Sequence, residues 1–132
     1  MYQKAVIQNV VSTASLLENN NKLDLRQLES NIPNAKYRPE RFSALTAKIK
    51  EPIIATALLF SNGRIVCVGT KSVNASRTAL GHFVKLISAA STISINMRDF
   101  RIQNIVSSFT FGGCINLPGI LIVIYFYLFS LI

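Results

Sequence analysis

The side chains that usually carry catalysis form no catalytic pattern in this sequence. His82 is the single histidine, and Cys67 and Cys114 lie far apart, without the spacing of metal ligands. The sequence also lacks a nucleophile elbow and a glycine-rich phosphate loop. It therefore predicts a binding protein rather than an enzyme, with no cofactor and no metal site.

Positive charge is the strongest chemical feature of the chain. The 132 residues include 14 Lys and Arg but 6 Asp and Glu, which gives a formal net charge of +8. Such an excess favours an anionic partner, either nucleic acid or an acidic membrane surface. Half of the residues are apolar, so the chain has the material for one modest folded domain.

A short repeat places an asparagine twice in the same context. Ile7–Ser12 returns as Ile102–Ser107, with five of the six positions identical and an offset of 95 residues (102 minus 7). This offset is longer than the periods of solenoid repeats, so it predicts a tandem duplication of a unit of about 95 residues. The second copy is cut short in this sequence.

The spacing of apolar residues predicts a mixed α and β unit. Leu25, Leu28 and Ile32 have helical spacing, and Ser72 is a plausible N-cap for a long second helix. The Asn62-Gly63 pair predicts a hairpin with a type I′ turn. The predicted elements are a strand over 5–13, the first helix, a loop over 34–39, strands over 42–50, 53–60 and 64–70, and the second helix, with its apolar face formed by Val73, Leu80, Phe83, Val84 and Ile87.

Both faces of the predicted hairpin are apolar. Strand alternation separates two sets of side chains, Leu58, Phe60, Val66 and Val68 on one face and Ala57, Leu59, Ile65 and Cys67 on the other. The two helices can cover one face. The second face is either buried in a layered core or exposed to bind a broad ligand, and alternation alone leaves both interpretations open.

The order of several segments resembles the TATA-box-binding protein family. The matching segments are Gln8–Thr13, Lys22–Leu25, Asn34–Phe42, Lys50–Pro52, Thr56–Cys67 and Gly69–Ser72, followed by Asp99–Val106 at the start of that family's second repeat. The resemblance covers about residues 4–118. It implies an α+β half-saddle, a curved antiparallel sheet with helices on its convex face and a truncated second repeat. It divides the chain into a first repeat (1–98), the first strand of a second repeat (99–118) and an unmatched apolar tail (119–132).

The resemblance implies a nuclear transcription initiation factor that binds and bends A·T-rich DNA in the minor groove. Wedge insertion into the minor groove is the general mechanism for such proteins, and this family is a standard example of it. Phe42 and Phe60 match the intercalating pair. The residues that match base contacts are Asn9, Asn104, Val11, Leu58, Val66 and Val106, and the candidates for phosphate contacts are Arg41, Lys48 and Arg64.

Two positions depart from the family pattern. Val68 stands where the family usually has Thr, which removes a hydrogen bond to a base near the centre of the site. Ile53 replaces a usual Arg, which removes one charge near the phosphates. The resemblance also implies protein partners: a contact with transcription factor IIA through the hairpin near Asn62 and Gly63, and loss of the contact with transcription factor IIB. The open sheet edge beside residues 101–111 favours pairing with another copy of the chain, which is self-association, or with the tail itself.

Two other functions stay open at the level of sequence. A half-saddle could serve as a protein-interaction module without DNA binding, or the chain could be anchored in a membrane. The apolar tail has three interpretations: a membrane anchor, a natural strand-like C-terminus, or translated sequence from a wrong gene model. Its 14 residues fall short of the roughly 20 that a helix needs to cross a bilayer.

Overall fold

A single antiparallel sheet organises the described part of the molecule. The structure, a computed structural model, describes residues 3–18, 21–111 and 120–122, and the side chains of residues 9–18 and 21–105. In chain order the elements are β1 (Gln3–Ser15), α1 (Leu25–Asn31), β2 (Ala35–Tyr37), β3 (Leu45–Ile49), β4 (Ala55–Leu59), β5 (Arg64–Thr70), α2 (Val73–Ala90), β6 (Arg98–Phe111) and β7 (Ile120–Ile122). The strand order is β2-β3-β4-β5-β1-β6-β7.

Both helices begin at a side chain that caps a free backbone N–H group. A carboxylate oxygen of Asp24 accepts from the N–H of Gln27 at 3.1 Å, and the Ser72 hydroxyl accepts from the N–H of Ala75 at 3.0 Å. The N-cap predicted at Ser72 is therefore confirmed. The side chains that α2 buries are Ser76, Ala79, Leu80, Phe83 and Ile87, whereas Val73 in its first turn is exposed, contrary to the prediction.

The sheet has two apolar faces, as the alternation predicts. Ala57, Leu59, Ile65 and Cys67 lie in the main core with the buried residues of α1 and α2, on what we call the helix face. The opposite face, which we call the open face, carries a smaller cluster to which neither helix contributes a residue. The open-face cluster consists of Val11, Ala44, Phe60 and Val66, with Leu58 and Val68 packed against it.

The β4–β5 hairpin forms where the sequence predicts it, but its turn is of another type. The Phe60 N–H donates to the Arg64 carbonyl at 2.9 Å, and the Gly63 N–H donates to the Phe60 carbonyl at 2.9 Å. The loop therefore has three residues, Ser61 to Gly63, and only Gly63 has a positive φ (88°). The predicted type I′ turn is wrong because such a turn needs a positive φ at two central residues, whereas a three-residue loop needs it only at its last residue.

A substitution at Gly63 is expected to destabilise the fold more than the same change at Gly69. A Cβ atom at Gly63 would lie 2.6 Å from Cγ of the buried Leu17, in addition to the strain of φ +88°. Gly69 has a similar φ of +92°, but nothing lies within 4 Å of the position of its Cβ. We expect Gly69→Ala to cost about 1 kcal/mol and Gly63→Ala about 3 kcal/mol of unfolding free energy, measured by urea denaturation. Equal losses would show that the contact with Leu17 is relieved without cost.

The structure corrects the prediction of a loop over 34–39. Residues Ala35–Tyr37 form β2, which pairs with β3 through Lys36 opposite Thr46 and Tyr37 opposite Leu45. A strand of three residues is too short to show a recognisable alternation. Its pairing with β3 makes β2 one edge of the sheet and places Lys36 beside the open face.

The two copies of the repeat pair with each other at the centre of the sheet. In the antiparallel register of β1 and β6, Val10 lies opposite Ile105, which is the position 95 residues later (105 minus 10). Equivalent positions of the two copies therefore face each other, as a local two-fold axis requires. Val10 is fully buried, whereas Ile105 is 45% exposed, because α2 packs against β1 but no described helix covers β6 in the same way.

Burial of Cys67 makes stability depend on pH in the alkaline range. The side chain is fully buried, and this burial raises the pKa of the thiol to about 11, although hydrogen bonds with Ser76 and Ser12 act in the opposite direction. An unfolded cysteine has a pKa of about 8.5. Because the folded pKa is the higher one, the stabilisation is complete below pH ~8.5 and is lost as the pH rises towards 11.

We therefore expect the wild-type chain to lose about 2 kcal/mol more stability between pH 7 and pH 10 than Cys67→Ala does. Urea denaturation under reducing conditions at both pH values measures this difference. Comparing each protein with itself removes the cavity cost of the substitution. An identical loss in the two proteins would mean that the Cys67 thiolate is not excluded from the folded state.

The C-terminal part of the prediction is only partly within the described residues. β7 (Ile120–Ile122) pairs with residues 108–110 of β6, so this part of the apolar tail is strand-like. Residues 112–119 and 123–132 lie outside the described residues. They include most of the tail and the predicted boundary between residues 118 and 119. Within the part of the chain that is described, no helix has the length and apolar character needed to span a membrane.

Candidate nucleic-acid interface

The predicted wedge residues meet on the open face. Phe42 lies in the connection before β3, where its N–H donates to the Arg38 carbonyl at 3.0 Å, and Phe60 directly follows β4. The two ring centroids are 6.1 Å apart with an interplanar angle of 69°, an edge-to-face contact. Phe42 is 40% exposed and Phe60 is 6% exposed. Phe42 is thus the ring at the surface, and Phe60 supports it from within the open-face cluster.

The apolar residues predicted to contact bases divide into two groups. Val11 and Val66 are each 1% exposed, because they form the floor of the open-face cluster beneath Phe60. Leu58 and Val68 are half-buried and contribute to the surface of this face. The side chain of Val106 lies outside the described residues, but its backbone pairs with Asn9. Direct base contact by these residues stays a prediction.

The two asparagines of the repeat are neighbours at the centre of the sheet. Asn9 pairs with Val106, and Val11 pairs with Asn104, so the asparagines are diagonal neighbours on adjacent strands. Asn9 alternates with Val10 and therefore shares the face of Val11, which is the open face. The pairing of Asn104 with Val11 places it on the same face. The register therefore brings together the two residues that the sequence predicts at the centre of the saddle.

A row of cations lines the outer part of the open face. Two adjoining cavities of about 310 and 280 Å³ share Lys36, Thr46 and Lys48. We call them together the basic groove, and their full lining is Asn34, Lys36, Arg38, Arg41, Phe42, Ala44, Thr46, Lys48 and Lys50. The groove reaches the exposed Phe42 and runs along β3. Its lining includes five cations and no carboxylate, so its potential favours an anion.

The predicted phosphate contacts do not all lie in one place. Arg41 and Lys48 line the basic groove. Arg64, the third, lies at the start of β5 in a separate cavity of about 210 Å³ together with Arg101 and Asp99. The structure therefore brings two of the three candidates together and places the third on the other side of the hairpin.

Three cations of the basic groove are absent from the sequence prediction. Lys50 follows β3 with the same alternation as Thr46 and Lys48, a signal that the sequence already contains. Lys36 and Arg38 join the groove only through β2, which the sequence did not reveal.

No cluster of three or more potential metal ligands occurs within the described ranges.

Comparisons with known proteins agree with this geometry. Residues 4–90 match the family described as "Transcription factor TFIID (or TATA-binding protein, TBP)". The TATA-box-binding protein of Spodoptera frugiperda is 40% identical over 116 residues, which cover 88% of this chain and 36% of that protein. The protein of the same name from Archaeoglobus fulgidus is 36% identical over 119 residues, which cover 90% of this chain and 63% of that protein.

A solved structure supports the same assignment. The structure of Methanococcus jannaschii TBP superposes with a TM-score of 0.64 at 27% identity, covering 80% of this chain and 58% of that one. This likeness confirms the predicted fold class, a curved antiparallel sheet with helices on one face. The chain spans about a third of the length of the insect relative and less than two thirds of the archaeal one. Because the family match covers 87 of the 132 residues (4–90), the chain belongs to the TATA-binding protein family, a family of transcription factors that are not enzymes.

Proposed function

We propose that this chain binds A·T-rich duplex DNA in the minor groove through its open face and bends it. The observation that carries the proposal is the continuity of three features on that face. An exposed aromatic ring at Phe42 lies between an apolar cluster and the basic groove. An apolar surface with an aromatic wedge suits a minor groove that is widened and unstacked, and the flanking cations suit its phosphates.

The repeat supports a ligand with matching symmetry. Asn9 and Asn104 are related by the local two-fold axis at the Val10–Ile105 pair, and their amide groups can donate to the acceptors of the minor groove. A·T and T·A pairs present the same acceptors there, adenine N3 and thymine O2. Two donors related by a two-fold axis therefore suit an A·T-rich site, and they do not distinguish an A·T pair from a T·A pair.

A binding comparison between two duplexes tests the proposal. We expect the full chain to bind a duplex with an A·T-rich centre at least ten times more tightly than one of equal length with a G·C-rich centre, measured by fluorescence anisotropy at fixed salt. The affinity for both should fall with added salt. Lys22→Gln/Lys85→Gln, which removes two exposed charges outside the basic groove, is a control for general electrostatic attraction. Equal affinity for the two duplexes would contradict recognition of A·T-rich DNA.

The protein partners of the chain follow from the same proposal. Asn62 is exposed at the tip of the β4–β5 hairpin, where its side-chain oxygen accepts from the Arg64 N–H at 3.0 Å. We expect this ordered tip to contact transcription factor IIA, and we expect no contact with transcription factor IIB. The site of action of such a chain is the nucleus. Separate addition of each factor to the DNA complex in a gel-shift experiment tests both expectations, since only factor IIA should produce a further shift.

A further inference from the structure

An irregularity lies at the centre of the open face, in the pairing of β1 with β5. Val10 pairs with Thr70 and Ser12 with Cys67, so that Val68 and Gly69 both lie opposite the single residue Val11. This is a β-bulge, and a bulge leaves a backbone group without its partner in the ladder. Gly69 has a φ of +92°, which a glycine adopts without strain.

The side chain of Asn9 forms a hydrogen bond with the backbone N–H group that the bulge leaves without a partner in the ladder. The Gly69 N–H donates to Oδ1 of Asn9 at 2.6 Å, across 60 positions of sequence. An N–H group can bond only to the oxygen of the amide, so this contact fixes which way the amide is turned. Oδ1 points to β5, and the Nδ2 amino group has no hydrogen-bond partner among the described residues.

We propose that the Gly69 N–H is the positioning group that makes Asn9 a hydrogen-bond donor towards its ligand. With Oδ1 turned to β5, the amide presents its Nδ2 amino group to the ligand, so this point of the open face favours a ligand acceptor over a ligand donor. The inference rests on the proposed function, in which the acceptors are adenine N3 and thymine O2. A guanine at this position would bring its N2 amino group against another donor, so the bulge contributes to the preference for A·T pairs.

A pair of substitutions separates the two roles of the Asn9 amide. Asn9→Asp keeps an oxygen for the Gly69 N–H but loses the donor, whereas Asn9→Ala loses both. In the free protein, we expect the Gly69 N–H to exchange with solvent at least ten times faster in Asn9→Ala than in the wild type or in Asn9→Asp, as measured by NMR. Gly69 is exposed, so the hydrogen bond is its main protection. Equal exchange in all three proteins would overturn the positioning.

A second measurement tests the donor on DNA. On an A·T-rich duplex, we expect Asn9→Ala to weaken binding about tenfold, and Asn9→Asp to weaken it at least as much although its Gly69 N–H stays protected. Replacing the central adenines with 3-deazaadenine, which lacks the N3 acceptor, should reduce the difference between wild type and Asn9→Ala, because only the thymine O2 acceptors remain. An Asn9→Asp protein that binds as well as the wild type would overturn the inference while the proposed function stands. A wild-type chain without affinity for any duplex would reject the proposed function and the donor role together, whereas the exchange experiment would still decide the role of Gly69.

Discussion

Neutralising the basic groove is expected to weaken DNA binding about 1000-fold at low salt. The variant carries glutamine at Lys36, Arg38, Lys48 and Lys50, which line the two cavities beside β3. Each lost phosphate contact removes roughly 1 kcal/mol of binding free energy, so four contacts remove about 4 kcal/mol. All four side chains are exposed, so we expect the stability of the fold to change little.

The salt dependence distinguishes contacts in the groove from a general loss of charge. Each phosphate contact contributes about 0.9 to the magnitude of the slope of log K against log salt. The variant with four substitutions should therefore show a slope whose magnitude is smaller by roughly 3 to 4. Two double variants provide the matched comparison, because each removes two positive charges. Lys36→Gln/Lys48→Gln should lower the slope by about 2, whereas Lys22→Gln/Lys85→Gln should leave it close to the wild-type value. Equal effects of the two double variants would contradict a specific role of the groove.

The basic groove also shows where the sequence stops being informative. Lys48 and Lys50 follow from the alternation of β3, which the sequence displays. Lys36 lines the groove because the three residues of β2 pair with β3, with Ala35 opposite Ala47. A pairing between two segments is a property of the folded sheet, and a segment of three residues carries too little pattern to predict it.

The hairpin shows the same division between local and non-local information. Its position and the separation of its two faces are local consequences of alternation and of Gly63, and both are confirmed. The turn type depends on whether two or three residues close the loop, which the register of Phe60 with Arg64 decides. The resemblance led to Asn9 as a site residue, but its contact with Gly69 arises from a bulge between strands that are distant in sequence.

The two phenylalanines differ in how much stability their replacement by alanine should cost. Phe60 is 6% exposed and packs with Val11, Ala44 and Val66, so Phe60→Ala would leave a cavity and cost about 3 kcal/mol of stability. Phe42 is 40% exposed and contacts Phe60 edge-to-face, so Phe42→Ala should cost about 1 kcal/mol. Phe42 is therefore the position at which a loss of bending can be separated from a loss of folding.

Phe42→Ala is expected to lower the bend angle of an A·T-rich duplex by tens of degrees and to weaken binding about tenfold. A ring inserted between bases unstacks that step and kinks the duplex, and alanine is too small to hold the step open. Fluorescence energy transfer between the duplex ends measures the angle at saturating protein. Val73→Ala is the matched control, because Val73 has a similar exposed fraction of 37% but lies at the start of α2. An unchanged bend angle in Phe42→Ala, with Val73→Ala equal to the wild type, would show that the exposed ring is not a wedge.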